Sequence, residues 1–313
     1  MDRLLYLLAH AVIGLLKVLP LTWVARLGRI GGGLFYWLDV RHRRVAVENL
    51  TRCFEREKSG EQIRSIAREN FRRIGENFAS AAKAAFMKFE DLRRHVQVTG
   101  TEEWLARDLQ CPPQSRIIAL GHFGNFEAFA RLGEFIPQFR CAATYRGLRQ
   151  AALDRLMKSL RERSGCRFFE RRTEAAALKA ALGQPGFLLG LLADQHGGDG
   201  GLRLPFLGHD CSTSAAPAIF ALRYGCLLHP AICYRVGLAQ WRLEFGEEIR
   251  TRSDGKARSV EDISADINRA FEEAIRRDPA NWFWVHNRWK PARLKSRTKR
   301  DFAHACVRST IES

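Results

Sequence analysis

The residues best suited by type to do chemistry stand together in Gly121-His122-Phe123-Gly124-Asn125-Phe126-Glu127. An imidazole can take a proton from an alcohol when a carboxylate holds its other ring nitrogen. Base help of this kind speeds a reaction by about 10²–10⁴-fold. His122 and Glu127 are five residues apart. On one continuous helix that separation turns ~500° and leaves the two side chains about 140° apart. They can meet only if a strand end, a turn and a helix start lie between them. Gly121 and Gly124 supply backbone permissive enough for such a turn. A carboxylate in the first helical turn, Glu127, would then accept the imidazole N–H, fix its tautomer and leave the other nitrogen for a substrate hydroxyl. That is the logic of a hydrolase triad with the substrate hydroxyl in place of the enzyme's serine. The competing reading is structural: Asn125 caps a helix and His122 is incidental.

The elements that must position these residues can be read from pattern. Residues 1–90 read as helical, and Glu61 to Phe78 carries Ile63, Ile66, Ala67, Phe71, Ile74 and Phe78 close to a 3.6-residue period. After a loop at Pro112-Pro113, Arg116 to Leu120 reads as a short buried strand, and Asn125 to Ile136 returns to helical spacing. Phe187 to Ala193 and Leu227 to Val236 are further strands, and Trp241 to Phe245 alternates with period two. Ser259 caps a helix that presents Ile263, Ile267, Phe271 and Ile275 on one face and stops before Pro279. Strands alternating with helices predict an α/β fold built around a sheet. Asp194-Gln195 follows the strand ending at Ala193, where such sheets tend to place sites; a loop-organising role is the alternative.

Composition narrows the partners. The chain has 313 residues, 46% hydrophobic content and a net charge of +17. A core of real size and an affinity for anionic partners follow. No zinc-finger spacing, RNP-like motif or helix-turn-helix pattern is present, so nucleic acid is the weaker partner and an anionic membrane surface the stronger. The eight cysteines never fall as CxxC, and several sit in apolar stretches, which fits buried thiols in a reducing compartment. Leu4 to Leu19 is apolar except for His10 and Lys17, and is shorter than the ~20 residues that span a bilayer. An interfacial helix, a poorly spanning one, a signal peptide and a plain core helix all remain open for it. Phe35-Tyr36-Trp37, followed at once by Arg41-His42-Arg43-Arg44, sets aromatics beside cations as the headgroup zone of an anionic leaflet does. Three regions are expected: membrane-associating helices over 1–44, an α/β domain over 45–290, and a basic, exposed tail over 291–313.

Gly-His-Phe-Gly-Asn-Phe-Glu resembles the HxGNWE signature of the late acyltransferases of lipid A biosynthesis, within the lysophospholipid acyltransferase-like superfamily. The resemblance extends over most of the chain. Arg44 to Leu50, Tyr145-Arg146, Ala193-Asp194-Gln195 with Leu204-Pro205-Phe206-Leu207-Gly208, and Trp282 to Lys290 each resemble a family motif in order. Phe126 stands where Trp is usual, and His196 to Gly201 is a glycine-heavy version of its loop. The resemblance implies a central mixed sheet surrounded by helices, like glycerol-3-phosphate acyltransferase, with an N-terminal helical membrane-docking element. It implies an acyl carrier protein thioester as donor, a lipid A precursor hydroxyl as acceptor, the cytoplasmic face of the inner membrane as location, and no metal or organic cofactor. His122 would be the base and Glu127 its orienter. Gly124, through backbone N–H groups around an oxyanion, and Asn125, Tyr145, Arg146, Arg171, Asp194, Gln195 and Arg203 would bind substrate. Two alternatives stay open: a related acyltransferase with an aminolipid, other glycolipid or polyene acceptor, and a non-catalytic protein that binds anionic membranes.

Overall fold

The computed structural model describes residues 14, 17–108, 113–147, 150–170 and 173–290. Arg171, most of the apolar run before Leu19 and the tail after Lys290 therefore lie outside the described residues. The strands are β1 (Val96–Thr99), β2 (Arg116–Leu120), β3 (Arg140–Tyr145), β4 (Arg167–Glu170), β5 (Phe187–Leu192), β6 (Leu202–Phe206), β7 (His209–Thr213), β8 (Leu227–Gly237), β9 (Gln240–Phe245), β10 (Arg252–Ser253) and β11 (Lys256–Ala257). Seven of them form a mixed sheet in the order β1-β9-β8-β2-β5-β3-β4. From β8 to β4 the neighbours are parallel, while β9 runs antiparallel to β8. The expected α/β architecture, a central mixed sheet flanked by helices, is what the chain adopts.

Strand β2 is buried along its whole length, as parallel strands covered on both faces are. Ile117 and Ala119 enter one core with Leu189 and Leu191, while Ile118 and Leu120 enter the other with Leu188. The chain leaves β2 toward β3 on one side and leaves β5 back across β2 toward β8 on the other. The segment after β2 packs in one core and the helix before β8 in the other. Adjacent strands whose connections part in this way open a crevice at their carboxyl ends.

The helices are α1 (Leu21–Leu38), α2 (Val40–Phe54), α3 (Gly60–Ala84), α4 (Phe89–Leu92), α5 (Glu102–Asp108), α6 (Ala151–Arg161), α7 (Ala175–Leu182), α8 (Ala216–Tyr224) and α9 (Val260–Arg277). Helix α3 starts with a capping box in which Gln62 N donates to Ser59 Oγ and Ser59 N to Gln62 Oε1. Ser259 caps α9 as its sequence predicts. Helices α1 and α3 cross at near backbone contact. A Cβ on Gly32 would stand 2.1 Å from the Phe71 carbonyl oxygen, and one on Gly75 would stand 2.1 Å from that of Gly28. Buried Glu76 fastens the same pair to the sheet, accepting from Arg29 on α1 and from Arg235 on β8. Among the described residues no helix is long and apolar enough to cross a membrane.

Candidate active site

The register of β2 with β5 decides which side chains meet. Ala119 pairs with Leu191 and Leu120 with Leu192, and Ala193 N donates to Leu120 O at 2.9 Å. Two residues further on, the same register sets His122 beside Asp194. His122 Nδ1 lies 2.8 Å from Asp194 Oδ1, and the His122 backbone N–H donates to Oδ2 at 2.8 Å. Trp282 Nε1 donates to that Oδ2 at 2.7 Å. Asp194 is 1% exposed. Burial opposes its ionisation, but the His122 ring and these hydrogen bonds outweigh burial and hold the carboxyl below the usual carboxylate range. An ionised Asp194 fixes the proton on His122 Nδ1, so Nε2 is the free nitrogen. The ring is flanked by Phe126 at 4.7 Å and Phe283 at 5.9 Å between centroids, and its side chain is 16% exposed.

Glu127 does not hold the histidine. Arg161 on α6 donates to both of its carboxylate oxygens, with Nε at 2.8 Å. The reason lies in the turn. Gly124 has φ +48°, and the segment from Phe126 to Glu134 winds as a 3-10 helix rather than the α-helix its spacing suggested. That turn lays the Phe126 ring on His122, and the neighbouring Glu127 side chain reaches α6. The Gly124 N–H is also committed elsewhere: it donates to Asn281 O at 2.9 Å, so it is structural and not an oxyanion donor. A Cβ on Gly124 would stand 2.4 Å from the Cys233 carbonyl oxygen.

The other expected site residues divide. Asn125 is 2% exposed, makes no capping bond, and its Oδ1 has no hydrogen-bond partner among the described residues. It lines the cleft that His122 and Glu127 share, and the cavity behind it. The Gln195 amide stands 3.5 Å from His122 Nε2. Tyr145 instead packs on Phe168, and Arg146 is exposed; no described contact links either to His122. Arg203 is exposed in the β6–β7 hairpin and ion-paired with Asp210.

Three residues that sequence reasoning did not place in the site serve it. Arg161 binds Glu127, and its only sequence signal is its position one turn after Met157, which lines the same cavity. Trp282 holds Asp194 while its own carbonyl accepts from buried Asn70 at 2.5 Å. Arg288, fully buried, donates to the carbonyls of Gln195 and Ser212 and to Thr213 Oγ1. The Trp282–Trp289 cluster packs inward, with Trp282, Trp284 and Trp289 all buried.

Behind Asn125 and Glu127 lies a cavity of about 210 Å³, walled by Phe78, Ala81, Ala82, Leu92, Met157 and Trp241. This apolar chamber adjoins the cleft lined by His122, the two sharing Phe78, Asn125 and Glu127. Residues 2–291 match the family described as bacterial lipid A biosynthesis acyltransferase. The chain belongs to that family. It is 25% identical over 287 residues to the lipid A biosynthesis lauroyltransferase of Escherichia coli (strain K12), covering 90% of each chain. It is 24% identical over 284 residues to that organism's lipid A biosynthesis palmitoleoyltransferase and to the lipid A biosynthesis acyltransferase of Shigella flexneri, covering 89% of each chain. As an acyltransferase of this family, the protein must activate an acceptor group and hold an acyl donor.

Proposed function

We propose that this acyltransferase moves a fatty acyl group from an acyl carrier protein thioester to a hydroxyl of a lipid A precursor, with His122 as general base and Asp194 as its orienter. The observation that carries the reading is the His122–Asp194 pair at the carboxyl ends of β2 and β5. The acceptor hydroxyl donates to His122 Nε2, which takes its proton as the oxygen attacks the thioester carbonyl carbon. The imidazolium is stabilised by Asp194 and returns the proton to the departing thiolate as the C–S bond breaks. Ester and free carrier thiol are the products. The apolar cavity suits the acyl chain, and the unpartnered Asn125 amide oxygen offers an acceptor beside it. Tyr145, Arg146, Arg171 and Arg203 have no part in this reading.

The net charge of +17 suits both an acidic carrier and a phosphate-bearing lipid. Exposed Trp23, Leu27, Ile30, Leu34, Phe35 and Trp37 on α1 support work at a membrane surface, which we assign to the cytoplasmic face of the inner membrane. The test is transfer from acyl carrier thioester to a lipid A precursor, followed by lipid mass spectrometry. The full chain should add one acyl group. No product from any acyl length tried, or an acyl group found on an unrelated lipid alone, would overturn the assignment.

A further inference from the structure

Outside the crevice, a concentration of positive charge lies along the seam of α1 and α3. Arg26, Arg29, Arg68, Arg72 and Arg235 line a groove of about 700 Å³ there, with Ile30, Leu34 and Trp37 on its rim. Two of the five arginines are neutralised: Arg29 by Glu69 and Glu76, Arg235 by Glu76. Arg68 and Arg72 have no hydrogen bond or ion pair among the described residues, and Arg26 has only the Trp23 ring, 5.2 Å away. Arg68 and Arg72 are four residues apart on α3, so their like charges work against the helix that carries them. The fold leaves this repulsion uncompensated while pairing the neighbouring Arg29, Arg73 and Arg235.

The apolar rim continues beyond the groove. Trp23, Leu27, Ile30, Leu34, Trp37 and Leu38 are each at least half exposed. The glycine crossing leaves this row no freedom to roll inward, because any rotation of α1 lifts Gly28 and Gly32 off Gly75. An acidic protein or a nucleic acid would satisfy the arginines and leave the apolar row in water. A phospholipid offers both components, a phosphate and tails beside it.

Resting on the membrane-surface reading above, we propose that this groove binds the phosphate of an anionic bilayer phospholipid. Arg26, Arg68 and Arg72 hold the headgroup, and the exposed row of α1 is sunk among the acyl chains. The site is separate from the His122 crevice.

The experiment uses the full chain and vesicles of phosphatidylcholine, alone or doped with phosphatidylglycerol, with binding read by co-sedimentation. Wild type should prefer the doped vesicles. Arg68→Gln/Arg72→Gln should lower affinity for them by about five-fold per arginine, roughly thirty-fold in all, and barely change binding to phosphatidylcholine. Arg252→Gln/Lys256→Gln, the same charge change outside the groove, should have a much smaller effect. Ile30→Ser/Leu34→Ser should weaken binding to both vesicles. Acyl transfer in detergent micelles, where no bilayer exists, should be unchanged in the arginine variant. A raised KM for the acceptor in micelles would mean that the arginines hold the acceptor's own phosphate, and would overturn the proposal. So would equal losses from both charge variants, or unaltered vesicle binding by the serine variant, which would mean that something other than lipid covers the row. Absence of any acyl transfer by wild type would sink the proposed reaction instead and leave the vesicle result standing.

Discussion

Two carboxylates stand near His122 in this chain, and the regions that hold them are built differently. Asp194 is 72 residues away in sequence and touches the imidazole; Glu127 is five residues away and does not. Asp194 is placed by the parallel register of β5 with the fully buried β2, then locked by a tryptophan N–H and a backbone N–H. Glu127 is placed by a glycine turn and a 3-10 segment, and its partner is an arginine on a helix from beyond the next strand. Sheet register fixes positions to within a hydrogen bond, whereas the direction of a side chain after a tight turn depends on one φ angle. Proximity in the chain was therefore the weaker guide to the imidazole's partner.

The hardest test of this contrast removes the shared member. His122→Ala should lower kcat/KM by about 10⁴-fold, the upper range for a general base, with circular dichroism and melting temperature close to wild type. Near-normal turnover by a folded variant would take the mechanism away. Asp194→Asn comes next, at about 10³-fold. It also separates the carboxylates by pH. Removing the anion that stabilises the imidazolium makes proton uptake by the ring less favourable, so the acidic limb of kcat/KM should move to lower pH. Glu127→Gln should cost roughly ten-fold, as expected for losing one charge-assisted pair, and leave that limb in place. A limb that moves with Glu127 and not with Asp194 would reverse the assignment. Trp282→Phe deletes a single donor to Asp194 and should cost a few-fold. It should move that limb slightly to higher pH, because a carboxylate with fewer donors is a stronger partner for the imidazolium.

Much of the fold was legible because its signals are local and redundant. The apolar runs of β2, β5 and β8 carry burial on both faces, and Ser259 announces its helix by capping chemistry. The site was legible in part. His122, Asn125, Asp194 and Gln195 were singled out, and they converge. The pairing among them was not legible, because spacing along the chain carries no information about which strands are neighbours. Trp282 and Arg288 were visible as a motif, yet their work is done on residues about ninety positions earlier. Arg161 gave almost no signal: one arginine after a methionine looks like any amphipathic helix. The 3-10 winding after Asn125 was missed because its apolar residues satisfy helical spacing under either winding.

The contrast between placement by register and placement by packing extends to a second histidine on the strand next to β2. His229 pairs in register with Ile118, is 4% exposed, and stacks against Trp104 at 4.3 Å between ring centroids. Its Nδ1 meets the Gly246 carbonyl, at 3.1 Å. Among the described residues no carboxylate faces it; burial is the main cause, with Arg116 adding to it, and its pKa is pushed down to about 4. The ring therefore stays neutral in the fold and gains its proton first in the unfolded chain. Its contribution to stability is complete above pH ~6.5 and is lost as pH falls from there toward 4, by at most about 1.4 kcal/mol per pH unit. Replacing it with Phe keeps the stacking and removes the titration. His229→Phe should therefore flatten the fall in melting temperature between pH 7 and pH 5 without changing the acidic limb of kcat/KM. A pH-dependence of stability identical to wild type would show that the loss on acidification arises at other buried groups, such as His286, which is also held near 4 chiefly by burial.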